Sequence, residues 1–290
     1  MTGNVIVGQS GGPTSVINAS LVGVYKTALD MGAGKIYGMI NGMYGFLDEK
    51  YVNLKDCIQN DLEIELLKRT PSSYLGSCRF KLPDYNIDEE PYIKAFNLLK
   101  KLDIKHFFYI GGNDSMDTLS KMGAYGRKIG SDIRFVGVPK TIDNDLDGTD
   151  HTPGFGSAAK YIGSVMKEVI RDNKVYGSDL IAVVEIMGRN AGWLTAASAL
   201  SKAEDCEGPE MILLPEITFD PEKFLSETVQ RHKEKKAFVI AVSEGIMTKD
   251  GKYVCEMNKK AVKCSLQNRY NVNRGIKNCQ CGEKSAARLD

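Results

Sequence analysis

Short apolar runs rich in β-branched and aromatic residues alternate along this chain with longer stretches in which apolar positions recur every three or four residues. The first kind predicts strands at Val5–Val7, Lys35–Ile40, His106–Ile110, Arg134–Val138, Leu180–Ile186, Met211–Leu214 and Ala237–Val242. The second predicts helices at Pro13–Met31, Pro91–Leu102, Asp114–Ile129, Gly156–Asp172, Asn190–Lys202 and Pro221–Lys235. Pro13 lies near the expected start of the first helix, where its fixed φ is compatible and its missing N–H is not needed. Regular strand–helix alternation predicts an α/β fold: doubly wound, mostly parallel sheets with helices on both faces. The strand runs are apolar throughout, as sheets covered on both faces require. Two domains are expected, residues 1–139 and 140–257, the second with the smaller sheet and the polar loop Pro139–Asp150 marking the boundary. In such sheets ligands gather at the carboxyl ends of strands.

Composition narrows the class without naming a chemistry. A chain of 290 residues is long enough for one large or two medium domains with a sizeable core. With 42% hydrophobic and 26% charged residues it reads as an ordinary globular protein. A formal net charge of +1 gives no reason to expect nucleic acid or a membrane surface as a partner. No apolar run is long enough to span a bilayer. The N-terminus reaches a glycine-rich turn too soon after Val7 to serve as a secretion signal. Seven scattered cysteines, an odd number, argue against a disulfide framework and point to a reducing cytoplasm. Three histidines without ordered Cys/His spacing argue against zinc. Residues 258–290 differ from the rest, with eight basic and two acidic residues and three of the seven cysteines. A basic tail that binds an anion is one reading; a poorly ordered or aberrant terminus is the other, and the absence of strand-like runs favours it.

The chemistry-bearing residues sit at strand ends. Gly8-Gln9-Ser10-Gly11-Gly12-Pro13 follows a strand and precedes a helix. Glycines let a backbone approach a ligand closely, and helix N-terminal N–H groups attract anions; a turn that needs glycine for sterics alone is equally open and, for this motif in isolation, the stronger reading. Phe107-Phe108-Tyr109-Ile110-Gly111-Gly112-Asn113-Asp114-Ser115 repeats the arrangement. Asp114 and Ser115 are ordinary helix caps, but two glycine turns at strand ends make a shared polyphosphate cradle the better reading. Pro139-Lys140-Thr141-Ile142-Asp143-Asn144-Asp145 packs a cation, a hydroxyl and carboxylates into one strand-end loop. Asp and Asn also form turns, yet phosphoryl transfer needs this mixture: a carboxylate for the hydroxyl proton and cations for the moving charge. Glu185-Ile186-Met187-Gly188-Arg189-Asn190-Ala191-Gly192 supplies an Arg suited to bidentate phosphate contact, or merely a surface Arg beside a turn. Arg79 in Gly76-Ser77-Cys78-Arg79-Phe80 and Glu244 in Ser243-Glu244-Gly245 complete the set.

Taken in order, these segments resemble the phosphofructokinase family over residues 3–257. The resemblance implies two Rossmann-like domains, the first binding the phosphoryl donor and the second the sugar phosphate. It implies fructose 6-phosphate as acceptor at its 1-hydroxyl, pyrophosphate or ATP as donor, magnesium as cofactor, and a homodimer or homotetramer. Asp143 matches the family's proton acceptor, and Thr141, Ile142, Met187, Gly188, Arg189 and Glu244 match sugar-phosphate contacts. Gly11, Gly12, Arg79, Gly112 and Ser115 match the donor-phosphate site, with Asn113 and Asp145 in the metal region. ATP-using members have glycine where this chain has Asp114 and Lys140. A carboxylate facing an ATP α-phosphate at ~4 Å costs ~4 kcal/mol at an effective dielectric of 20, and Lys140 is placed to stabilise the leaving group of pyrophosphate. The pair therefore reads as a donor switch toward pyrophosphate.

Three departures temper the resemblance. Asn113 replaces an Asp associated with magnesium, and an amide oxygen is a neutral, weaker ligand. Leu180 stands where ATP-using relatives carry an Arg that reaches a neighbouring subunit's substrate. Family members continue with an Arg- and His-containing segment that has no match in residues 258–290, so the chain is expected to lack it, with activity reduced or lost. An ATP-dependent kinase of the same sugar phosphate, and a non-catalytic sugar-phosphate-binding remnant, are the alternatives. A lipid or nicotinamide-nucleotide kinase shares only the Gly-Gly-Asp type of turn.

Overall fold

Alternation along one short strand sets the core of the first unit. In the computed structural model, which describes residues 3–175 and 179–257, strand β1 (Asn4–Gln9) points Val5 and Val7 to one face and Ile6 to the other. It pairs in parallel with β2 (Ile36–Met39) and β4 (Ile104–Gly111), and β4 pairs in parallel with β5 (Arg134–Pro139). A short β3 (Tyr51–Asn53) adds antiparallel to β2, giving the order β3-β2-β1-β4-β5. On the Val5 face lie Ile17, Leu21 and Tyr25 of α1 (Ile17–Asp30), Leu54 of α3 (Leu54–Cys57), and Ile64 and Leu67 of α4 (Asp61–Arg69). On the Ile6 face lie Met43 and Phe46 of α2 (Gly42–Leu47), Tyr92 and Leu99 of α5 (Glu90–Lys101), and Met122 and Tyr125 of α6 (Asn113–Lys128). Each such side chain contributes roughly 1.5–3 kcal/mol of burial.

The chain divides into two units, the first ending at Ile142 and the second starting at Asp143. The second holds α7 (Phe155–Val175), β6 (Leu180–Ile186), α8 (Trp193–Ala196), β7 (Met211–Leu213), α9 (Pro221–Glu234) and β8 (Ala237–Ser243). Its smaller sheet is all parallel in the order β6-β8-β7, around Met211, Phe238 and Ile240. Asp220 caps α9, its carboxylate accepting from the N–H groups of Glu222 and Lys223, with Pro221 in the first turn. No helix among the described residues is long and apolar enough to cross a membrane.

The structure corrects the expected pattern in several places. Helix α1 starts at Ile17, not Pro13; a residue before proline is biased away from helical ψ, and Gly11 takes a positive φ of 79°. The segment expected as one helix over Asn190–Lys202 is α8 followed by a 3₁₀ turn at Ala197–Ser201. Strands β5 and β6 are not buried on both faces: Arg134, Val183 and Glu185 are exposed, because each strand ends its sheet. Elements α2, β3, α3 and α4 were not anticipated, although α4 carries a reciprocal cap: Asn60 accepts from Glu63 N–H, and Glu63 accepts from Gln59 N–H. The basic tail 258–290 lies outside the described residues.

An ion network ties α7 and α9 to the approach to β7. Glu207 meets Lys235 at 2.5 Å and Lys174 at 2.9 Å, and Glu210 meets Arg231 at 2.7 Å and Lys235 at 2.9 Å. The hydrogen bond from Lys235, then that from Lys174, pulls the Glu207 carboxyl down to about 2. Its contribution is fully present above the ordinary glutamate range near 4.5 and is lost as pH falls toward 2. Glu207 is 61% exposed, so the effect stays below about 1 kcal/mol. Melting temperature followed from pH 5 to pH 2 should fall less steeply in Glu207→Gln; an unchanged slope would rule this network out as an acid-sensitive tie.

Candidate active site

In the first unit the chain leaves β1 for β2 on one side and returns to β4 on the other, so the β1/β4 boundary is the switch point of the sheet. Both glycine turns meet there. Ser10 N–H donates to Ile110 O at 2.9 Å and Lys140 N–H to Gly111 O at 2.9 Å, aligning the ends of β1, β4 and β5. Gly111 must be glycine, since a Cβ would overlap Ser115. A Cβ on Gly12 would meet nothing within 4 Å, and one on Gly112 only Lys140 O at 3.6 Å, so these backbones border open space. The Lys140 ammonium is delivered to this place: it donates to Gly12 O at 2.5 Å and lies 3.5 Å from where a Gly11 Cβ would stand. Lys140 is only 5% exposed. The stem is buried and the charge sits at the glycine turn.

Helix α6 opens beside the second glycine turn, with Asn113, Asp114 and Ser115 in its first turn. Its N-terminus favours an anion. Ser115, expected to bind donor phosphate, is 2% exposed and packs closely against Gly111. Asn113 and Asp114 are exposed. Asp114 forms an ion pair with Lys81 at 3.6 Å, and its side chain is 71% exposed. Exposure and a cationic neighbour weaken its repulsion of a phosphate from ~4 kcal/mol at an effective dielectric of 20 to ~1 kcal/mol. Lys81 was not singled out in the sequence, where it is one lysine among many.

The segment that carries Arg79 has no regular secondary structure and crosses the strand ends. Leu75 O accepts from Asn41 N–H at 2.7 Å beyond β2, and Cys78 O accepts from Gly11 N–H at 3.1 Å beyond β1. Ser77 Oγ donates to Gly11 O at 2.5 Å, and Cys78 Sγ lies 3.7 Å from the buried Tyr109 hydroxyl of β4. Burial pushes the Tyr109 phenol well above its ordinary range. For Cys78 burial raises the thiol, but hydrogen bonds involving Tyr44, Phe80, Tyr109 and Ser10 outweigh it and bring the thiol below its ordinary range. Thr141 is buried and Ile142 half-buried at the end of the unit.

The second unit begins at Asp143, half-buried on a loop fixed by its neighbour. Asn144 takes a left-handed φ of 59°; its amide donates to Asp150 O at 3.0 Å and accepts from Thr152 N–H at 2.8 Å. Asp145 follows, also half-buried. Parallel pairing of β6 with β8 places Ile186 opposite Ser243, so their carboxyl ends leave together. Gly188 N–H donates to Glu244 Oε1 at 3.4 Å, and Ser243 Oγ donates to Gly188 O at 2.7 Å. Gly188 has a φ of 122°, and a Cβ on Gly245 would overlap Arg189. Met187, Gly188, Arg189 and Glu244, far apart in sequence, thus form one cluster with Arg189 and Met187 exposed. Ser243 and Gly245 hold it, a role that the sequence alone does not reveal.

The family model for phosphofructokinase matches residues 4–286, nearly the whole chain and past the last motif. This chain belongs to the phosphofructokinase family. Among relatives, a pyrophosphate–fructose 6-phosphate 1-phosphotransferase from Rhodospirillum rubrum is 43% identical over 250 residues, covering 86% of this chain and 60% of that protein. One of the same name from Methylococcus capsulatus is 41% identical over 264 residues, covering 89% and 62%. The crystal structure of a pyrophosphate-dependent phosphofructokinase from Nitrosospira multiformis superposes with a TM-score of 0.72 at 39% identity, covering 91% of this chain and 66% of that one. This phosphofructokinase-family chain therefore spans about three fifths of the length of the curated relatives it matches.

No group of three or more His, Cys, Asp and Glu side chains among the described residues is arranged to hold a metal. Magnesium needs no such cage, since one or two carboxylates and substrate phosphates suffice. The Asp145 carboxylate, on a loop fixed by Asn144, fits that requirement; the neutral Asn113 amide at the head of α6 fits it less well.

Proposed function

We propose that this chain transfers a phosphoryl group from pyrophosphate to the 1-hydroxyl of fructose 6-phosphate, reversibly, giving fructose 1,6-bisphosphate. The observation that carries the reading is the buried Lys140 ammonium held at the Gly11–Gly12 turn, where ATP-using relatives are expected to have glycine. The names of the relatives support the same donor.

In this reading the first unit binds pyrophosphate through the backbones of Gly11, Gly12 and Gly112 and through Arg79. The second binds the sugar phosphate through Arg189, Glu244, Met187 and Gly188, with Thr141 and Ile142 leading to Asp143. Asp143 takes the proton of the 1-hydroxyl; that oxygen attacks the terminal phosphorus, the bridging P–O bond breaks, and orthophosphate leaves. Lys140 offsets the charge that builds on the leaving group. Asp145 would hold magnesium together with phosphate oxygens; bound there, the ion neutralises charge on the transferring group. The proposal includes a reducing cytoplasm, which an odd count of seven cysteines favours. It also includes self-association, supported by exposed Tyr161, Val183 and Trp193 in the second unit.

Phosphate transfer by the purified chain, followed with fructose 6-phosphate and magnesium and either donor, is the direct test. Turnover with pyrophosphate and little with ATP is expected. Preference for ATP would overturn the donor assignment, and sugar-phosphate binding without product at any donor concentration would make the chain a binding protein.

A further inference from the structure

The segment that carries Arg79 is held by two buried amides. Gln9, the last residue of β1, is 0% exposed, and Asn18, in the first turn of α1, is 1% exposed. Gln9 Nε2 donates to Ile17 O at 3.1 Å and to Asn18 Oδ1 at 3.0 Å. Gln9 Oε1 accepts from Ser73 Oγ at 2.9 Å and from Leu75 N–H at 2.9 Å. Every donor and acceptor of that amide is thereby used. Asn18 Oδ1 also accepts from Tyr74 N–H at 2.8 Å, and Asn18 Nδ2 donates to Thr70 O at 2.9 Å.

These contacts replace secondary structure. Residues 70–80 belong to no helix or strand, so their backbone groups need other partners, and the two amides supply them. The hold continues toward Arg79: the single proton of Ser73 Oγ is shared between Gln9 Oε1 and Gly76 O, the latter 2.5 Å away, Ser77 Oγ donates to Gly11 O at 2.5 Å, and Gly11 N–H donates to Cys78 O at 3.1 Å. Gln9 is thus bonded to the segment at one end and lies two residues before the turn that grips its other end.

We propose that Gln9, acting through Asn18 and Ser73, is a positioning residue that sets the Arg79 segment against the Gly11 turn and thereby tunes affinity for the phosphoryl donor. The donor part of this inference rests on the function proposed above; the positional part does not. A purely structural role predicts lower stability alone. A positioning role predicts a selective loss toward the donor in a protein that is still folded.

Cys78 is a built-in reporter, being adjacent to Arg79 and half-buried against Tyr109. The full chain, Gln9→Met and the milder Ser73→Ala are treated with iodoacetamide, and alkylation of Cys78 is read by peptide mass, well below each melting temperature. Pyrophosphate and fructose 6-phosphate dependences are measured in parallel. Expected are Cys78 labelling about tenfold faster in Gln9→Met, a smaller rise in Ser73→Ala, and a pyrophosphate KM raised about tenfold with kcat and the fructose 6-phosphate KM within about twofold. Unchanged Cys78 labelling in both folded variants overturns the proposal. So does faster labelling with an unchanged pyrophosphate KM, or with both KM values raised equally. If the parent chain itself shows no turnover with pyrophosphate, the donor reading has failed, and the labelling rates decide the positioning of the segment by themselves.

Discussion

With the proposed function, Asp143→Ala is expected to lower kcat for phosphoryl transfer by about 10²–10⁴-fold, the range by which a positioned general base accelerates a reaction. The loss falls on kcat because the proton leaves the sugar hydroxyl only as the new P–O bond forms, so the carboxylate is needed most in the transition state. The fold should survive. The loop owes its shape to Asn144, which bonds Asp150 O and Thr152 N–H through its own amide. Circular dichroism and a thermal melt close to the parent's, together with the collapse of kcat, are the expected pair of results. Asp143→Asn keeps size and polarity and should be nearly as inactive. Turnover within about tenfold of the parent in either variant would remove Asp143 from the base role.

Combining Lys140→Gly with Asp114→Gly shifts donor preference, and the two positions contribute unequally. Lys140 brings a charge to the glycine turn on a buried stem, the residue being only 5% exposed, so solvent screens it less than it would an exposed lysine. Its loss should cost about 10²–10³-fold in kcat/KM with pyrophosphate, the range for removing a donor to developing negative charge. Asp114 is exposed and paired with Lys81, so Asp114→Gly alone should improve kcat/KM for ATP by only about fivefold, equivalent to ~1 kcal/mol. The double variant should therefore lose pyrophosphate activity far more than it gains with ATP. Equal pyrophosphate kcat/KM in parent and double variant would show that Lys140 has no part in the transition state.

Most of what was legible in the sequence was local. A strand run ending in paired glycines announced both turns of the first unit, because apolar alternation and the need for a Cβ-free backbone are written in consecutive residues. Lys140 and Arg189 were named through the motifs that hold them and the resemblance those motifs carry. What escaped notice depends on distant partners. Gln9 becomes a clamp only because Ser73 and Leu75 come to it, 64 and 66 positions away. Asp114 was read together with Lys140 as a donor switch, and its ion pair with Lys81, which arrives on a segment of no readable period, was not foreseen. Ser115 was named through the resemblance, and its burial against Gly111 is a close contact that no local pattern announces. The start of α1 was misplaced because Pro13 is compatible with a first helical turn but does not require one. The short elements between residues 42 and 69 were missed because runs of three to nine residues carry too few positions for a period to show.

The pairing of β6 with β8 has a consequence for tolerance to insertion and deletion. Glu244 meets Gly188 because Ile186 lies opposite Ser243, and that match is fixed by a ladder running back to Leu180 and Ala237. A slip of one residue along either strand would turn every side chain to the opposite face and carry the carboxylate away from the glycine. The connection between Arg189 and β7 lies outside that ladder; it carries α8 and the Glu207 and Glu210 ion pairs, so a change in its length acts on those contacts and leaves the register alone. Loss of one residue inside either strand, by contrast, destroys the cluster.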